Sequence, residues 1–167
     1  MSINKTILSC KEITDMKNKE MIIAGLQGIV TDLAQQADGH MIQSRVFAAQ
    51  GLTKLADKYA EHAEEERGYV QQCVDRILDL GGAVKNQTKQ EAPVHTDAIE
   101  WIKYDLQVSV DGLAGLKQLI ECAKDDLTTY DILVAYYKDE EADLYWGEQQ
   151  LELIEKIGTQ YWYAQQI

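Results

Sequence analysis

The sequence predicts an all-α protein in which four long helices pack as a bundle. Three observations predict it. Apolar residues recur at helical spacing in four separate stretches, which is the signature of helices that each bury one face. There is one proline in 167 residues, so little interrupts those stretches. Ala, Leu, Glu, Gln and Lys are abundant in them, and these residues lose little free energy on entering a helix. The length allows one domain, residues 1–167, and little room for a second.

A polar lead, residues 1–15, reads as an extension ahead of the first helix. The first stripe then runs through Ile22, Leu26, Ile29, Leu33, Ala37, His40, Ser44 and Phe47, and Gly51 follows where a positive φ ends a helix without strain. The second stripe is Leu52, Leu55, Tyr59, Ala63, Glu66, Val70, Cys73 and Ile77, stopped by Gly81-Gly82. So short a gap forces the two helices to turn back on each other. Residues 83–95 are polar, aperiodic and contain Pro93. Thr96 is the expected N-cap of the third helix, with Asp97 and Glu100 favourably placed on its dipole. Its stripe reads Trp101, Tyr104, Val108, Gly112, Gly115, Leu119 and Cys122, and Asp125-Asp126 break it. A fourth stripe runs Leu133, Tyr137, Glu140, Leu144, Gly147, Leu151 and Ile154, closed by Gly158, before a short terminal helix over 159–167.

The connection between the second and third helices sets the topology. A helix of about 28 residues is roughly 42 Å long. A linker of about fifteen residues reaches roughly 50 Å when extended. It therefore spans the bundle, and the chain reads as two hairpins joined by one long crossover.

The charge excludes several function classes. With 16 basic and 28 acidic residues the formal charge is −12, which opposes binding to a phosphate backbone and favours attraction of cations. No nucleic-acid partner is expected. No apolar run approaches the roughly 20 residues a membrane span requires, so no membrane partner is expected either. Cys10, Cys73 and Cys122 form no Cys-x-x-Cys pair, and without a secretory apolar segment in residues 1–11 they read as reduced thiols in a cytoplasmic protein.

The informative residues interrupt the stripes. Glu66 stands between Ala63 and Val70, and Glu140 between Tyr137 and Leu144. A carboxylate facing a core needs a cation, a hydrogen-bond donor or a proton. Tyr69 and Asp143 follow three residues later on the same helix faces, so each pair points at one spot. Two readings stay open: Glu66, Glu140, Asp143 and the stripe residue His40 hold a metal, or they form a hydrogen-bonded network with Tyr69 and Ser109. His62 and His95 read as exposed and receive no role. The cluster Glu61, Glu64, Glu65 and Glu66 reads by default as a solvated face.

Collinear segments carry a family resemblance. They are Arg45-Val46-Phe47 with Gly51-Leu52, Asp75-Arg76-Ile77-Leu78 with Gly82, Asp105-Leu106 with Asp111-Gly112, Asp139-Glu140-Glu141, Gln150-Leu151-Glu152-Leu153-Ile154, and Ala164-Gln165-Gln166-Ile167. Through them the sequence resembles the bacterioferritins, in the ferritin-like superfamily. The resemblance implies a four-helix bundle with a short fifth helix, forming two-fold dimers and a hollow homo-oligomeric shell of 24 subunits that stores ferric mineral. It also implies a di-iron centre built from a Glu on the first and third helices and Glu-x-x-His on the second and fourth. The corresponding positions here are Leu33, Ser109, Glu66 with Tyr69, and Glu140 with Asp143. Both histidines and two glutamates are replaced. Arg67 occupies the place of the family's haem-ligating Met, and Arg cannot ligate haem iron.

The expected function is therefore a cage subunit for iron storage or homeostasis, with a degenerate di-iron centre and no haem. Glu61 and Glu65 would capture cations on the inner surface, and a catalytic paralogue would supply oxidation. Two alternatives stand beside it: a ferroxidase with a remodelled site of His40, Glu66, Glu140 and Asp143, and a non-catalytic structural shell.

Overall fold

The computed structural model describes residues 10–167, with side chains from residue 15 onward. The elements are α1 (Cys10–Ala49), α2 (Thr53–Asp79), α3 (Ala98–Cys122), α4 (Leu127–Ile157) and α5 (Thr159–Ala164). They form a four-helix bundle with a short C-terminal helix. Helix α1 starts at Cys10, inside the segment expected as a polar lead. No Gly or Pro occurs between Cys10 and Ala24, and adding a residue to an existing helix gains one hydrogen bond without a new nucleation cost. Residues 1–9 lie outside the described residues.

The ends follow local chemistry. Gly51 and Gly158 take φ of 78° and 81°, a conformation that costs a residue with a Cβ about 1–2 kcal/mol. The cap of α3 is Asp97 and not the expected Thr96: its carboxylate accepts from the amides of Ile99 and Glu100 at 2.9 and 3.0 Å. An anionic cap satisfies two free amides and also complements the helix dipole. Asp126 caps α4 through the amide of Thr129 at 3.2 Å and binds Arg76 of α2 at 2.6 Å.

The buried face of α3 differs from the expected stripe. Ala98, Trp101, Ile102, Ser109, Leu113 and Leu116 are buried, whereas Gly112 and Gly115 are exposed. The helix is rotated by about one residue because a glycine brings no apolar area, while burying each Leu stabilises by about 1.5–3 kcal/mol.

Residues 82–95 contain no helix and run as an extended strap along α1. Gln27 Nε2 donates to Lys85 O at 2.9 Å, and Lys85 N donates back to Gln27 Oε1 at 2.8 Å. Gln43 makes the same paired contact with the backbone of His95. Gln35 reaches Gln90 O between them, and Gln50 reaches Thr96 O beyond. From 27 to 50 the helix rises roughly 34 Å, and from 85 to 96 an extended chain covers roughly 36 Å. The two lengths match, so the strap returns the chain along the bundle and sets α2 and α3 parallel.

Two apolar clusters fill the bundle's interior. One, beside α5, holds Phe47, Leu55, Tyr59, Trp101, Ile102 and Trp162. The other, at the far end, holds Ile22, Leu26, Cys73, Ile77, Leu116 and Leu133. Between them in sequence order along every helix lies a layer of polar residues.

Candidate functional site

Each bundle helix contributes to this layer where its buried face passes the midpoint. Helix α1 brings His40, 3% exposed; α2 brings His62 and Glu66, 2% and 7%; α3 brings Asp105 and Ser109; α4 brings Glu140 and Asp143, of which Glu140 is 6% exposed. On α2, His62 and Glu66 are four residues apart and share a face, as Asp105 and Ser109 do on α3.

His40 lies at the centre. Its Nδ1 is 2.9 Å from Glu66 Oε2 and its Nε2 is 2.8 Å from Asp105 Oδ1. Burial disfavours the imidazolium, yet the charge of Asp105 and then the bonds to both carboxylates raise its pKa to about 10. His62 Nε2 is 3.0 Å from Asp143 Oδ1, but the pair lacks hydrogen-bond geometry, so that nitrogen has no hydrogen-bond partner among the described residues. Asp143 also meets Lys58 Nζ at 3.4 Å; burial pushes its carboxyl up, but His62 and Lys58 hold it below its ordinary value.

The carboxylates outnumber their cations. Burial raises Glu66, opposed by His40. Burial and then the charge of Glu66 push Glu140 up to about 7. Ser109 donates to Glu140 Oε1 at 3.3 Å, as the network reading expects. Tyr69, expected beside Glu66, instead packs on Tyr136 with ring centres 5.1 Å apart, and His40 partners Glu66.

Two groupings have the chemistry to hold a cation. A nitrogen of His40, a nitrogen of His62 and an oxygen of Asp105 lie within 4.8 Å of one another, as do oxygens of Glu65, Asp139 and Asp143. In the second trio Glu65 is exposed and Asp139 and Asp143 are half-buried. Burial and mutual repulsion raise Glu65 and Asp139. Glu61, on the same helix as Glu65, is exposed.

His62 corrects the expectation of an exposed residue. It sits three residues after Tyr59 and four before Glu66, a spacing that already places it on the buried face. His95 is half-buried and stacks beside Tyr104 at 5.5 Å. Asp105 was missed for a different reason: the expected α3 stripe was one residue out of register. Arg67 is half-exposed and pairs with Asp38 at 2.8 Å.

Comparison with known proteins agrees with this architecture. The family profile for the ferritin-like domain matches residues 23–157. Bacterial ferritin of Neisseria meningitidis serogroup B is 32% identical over 155 residues, covering 91% of this chain and 100% of that protein. Bacterial ferritin of Synechocystis is 30% identical over 155 residues, covering 91% and 99%. Bacterioferritin of Streptomyces coelicolor is 30% identical over 121 residues, covering 71% and 72%. No helix among the described residues is long and apolar enough to cross a membrane.

Proposed function

The chain belongs to the ferritin-like family, and from that premise we propose that it is an iron-storing shell subunit without the family's paired-iron centre. The observation carrying this reading is the set of side chains at the family's ligand positions. Leu33 is buried at 2% exposure and has no ligand atom. Ser109 spends its hydroxyl on Glu140, and Tyr69 lies against Tyr136. Glu66 is engaged by His40. This donor set does not fit two iron ions, which need several oxygens and imidazoles converging on each, and no oxidation step is routed through it.

Iron is then cargo rather than a resident cofactor. The exposed carboxylates Glu61 and Glu65, with Asp139 and Asp143, form the surface on which ferrous ions collect, and weak multi-oxygen sites suit hard or borderline dications. Oxidation comes from dissolved dioxygen or from a catalytic paralogue in a mixed shell. Haem is absent from the proposal because Arg67, paired with Asp38, offers no thioether or imidazole. Assembly into a homo-oligomer of two-fold dimers, 24 subunits in the family's pattern, is supported by the large apolar side chains Met41, Ile42, Leu78 and Tyr145 left exposed on a single chain. The free thiols Cys73 and Cys122 support operation in the reducing cytoplasm.

The test is ferrous iron added aerobically to the assembled particle, followed by gel filtration and iron analysis. The reading expects ferric iron to co-elute with the particle, alone or with a catalytic paralogue, and uptake to fall in the Glu61→Gln, Glu65→Gln double variant. A particle that retains no iron under either condition overturns it.

A further inference from the structure

We propose that His40, His62 and Asp105 form a binding site for one divalent transition-metal ion inside the bundle, one to two helical turns from the family's ligand positions. The proposal deepens the storage reading by adding a resident ion to the subunit, and it uses a ligand set that shares no residue with the positions of Leu33, Glu66, Ser109 and Glu140.

Four observations carry it. The three ligand atoms already converge within 4.8 Å of one another. Bonds of about 2.0–2.1 Å to nitrogen and oxygen in a tetrahedral site bring ligand atoms to roughly 3.3 Å, so modest side-chain rotation closes the set. Second, His62 Nε2 and Tyr59 Oη are buried, with His62 2% and Tyr59 0% exposed, and have no hydrogen-bond partner among the described residues. Asp143 Oδ1 stands 3.0 Å from His62 Nε2 without hydrogen-bond geometry, and a bound ion gives that buried nitrogen a partner. Third, Glu66 holds the Nδ1 of His40. A carboxylate on the far nitrogen is the usual way a metal-binding imidazole is oriented; the ion takes the place of the proton between His40 Nε2 and Asp105 Oδ1, 2.8 Å apart, and that proton is released to solvent.

The fourth observation is access. A cavity of about 260 Å³ lies between α1, α3 and the strap, and its wall runs from exposed Asp32 and Pro93 past Gly39 to buried His40 and half-buried Asp105. It gives a hydrated cation a path to the ligands without opening the bundle. Rings of Tyr59 and Trp101 stand 5.4 and 5.9 Å from that of His40, an enclosure that limits water around the ion. Two imidazoles with one carboxylate suit zinc, ferrous iron or cobalt better than magnesium or calcium.

The experiment titrates the metal-free particle with Co²⁺, read by its visible d–d absorption, with Zn²⁺ as competitor. One Co²⁺ per chain is expected, displaced by Zn²⁺. His62→Gln and Asp105→Asn should each weaken binding at least about tenfold, and Glu148→Gln, at an exposed position on α4, should leave it unchanged. X-ray absorption of the Co²⁺-loaded wild type should show imidazole in the coordination shell, a readout that needs no variant to fold. Absence of tight Co²⁺ binding, an oxygen-only shell, or binding kept at full strength in both His62→Gln and Asp105→Asn overturns the proposal. A particle that stores iron but lacks this Co²⁺ site sinks this inference alone. One that binds Co²⁺ here yet retains no iron sinks the storage reading alone.

Discussion

His40 has a carboxylate on each ring nitrogen, at 2.9 and 2.8 Å, and so acts as the one cation between Glu66 and Asp105. Replacing it by Leu leaves both acids buried without their partner. A broken buried pair costs about 3–5 kcal/mol, and urea denaturation of metal-free His40→Leu should show a loss of that order; a loss under 1 kcal/mol would mean that water already screens the layer. The sequence placed His40 on a buried face but left open whether it held a metal or a hydrogen bond. The choice was not legible because its partner Asp105 comes from another helix 65 residues away. His62 was legible from its spacing alone. Tyr69 was not: whether it turns to Glu66 or to Tyr136 depends on the packing of α4 against α2.

Elements were legible where a stripe has strong apolar members and illegible where it has glycines. The stripes of α1 and α2 are buried except at Ile29 and Val70, which are half-buried, since Leu, Ile and Phe fix the rotation. On α3 glycine offered the same period with nothing to bury, and Leu113 with Leu116 set the face. The strap's length was readable, but its fastening was not, because glutamines outside any apolar stripe carry no pattern. Gln43→Ala should release the amide and carbonyl of His95, costing about 1–3 kcal/mol; hydrogen exchange should speed up at His95 while amides in the middle of α2 stay protected. Equal acceleration everywhere would show that the strap is not held locally. The α2–α4 junction adds a pH effect. Burial opposes the Asp126 carboxylate, but Arg76 and Thr129 hold its pKa below the ordinary 3.8. Its stabilising share is complete above the unfolded value and is lost as pH falls through the lower folded one. In Asp126→Asn that share is missing at pH 7, and the drop in melting temperature between neutral pH and the region below 3.8 should be smaller than in the wild type. An unchanged acid slope would contradict this.

At the scale of the molecule, two apolar clusters clamp a layer whose acids exceed its bases, in a chain that already carries a formal charge of −12. That imbalance makes the interior a place for cations, and the identity of its side chains decides which ones. The fold was legible from periodicity, one long connection and collinear family segments. The site was only half legible, because its ligands had moved along the bundle axis together: His40 is seven residues on from Leu33, His62 and Asp105 four residues back from Glu66 and Ser109. Helices α1 and α2 run in opposite directions, so these steps point the same way in space. The most direct test is anomalous diffraction at the cobalt or zinc edge from crystals of the loaded particle. One peak per chain among His40, His62 and Asp105, with none between Glu66 and Glu140, is the expected map. A pair of peaks bridged by Glu66 and Glu140 would contradict it.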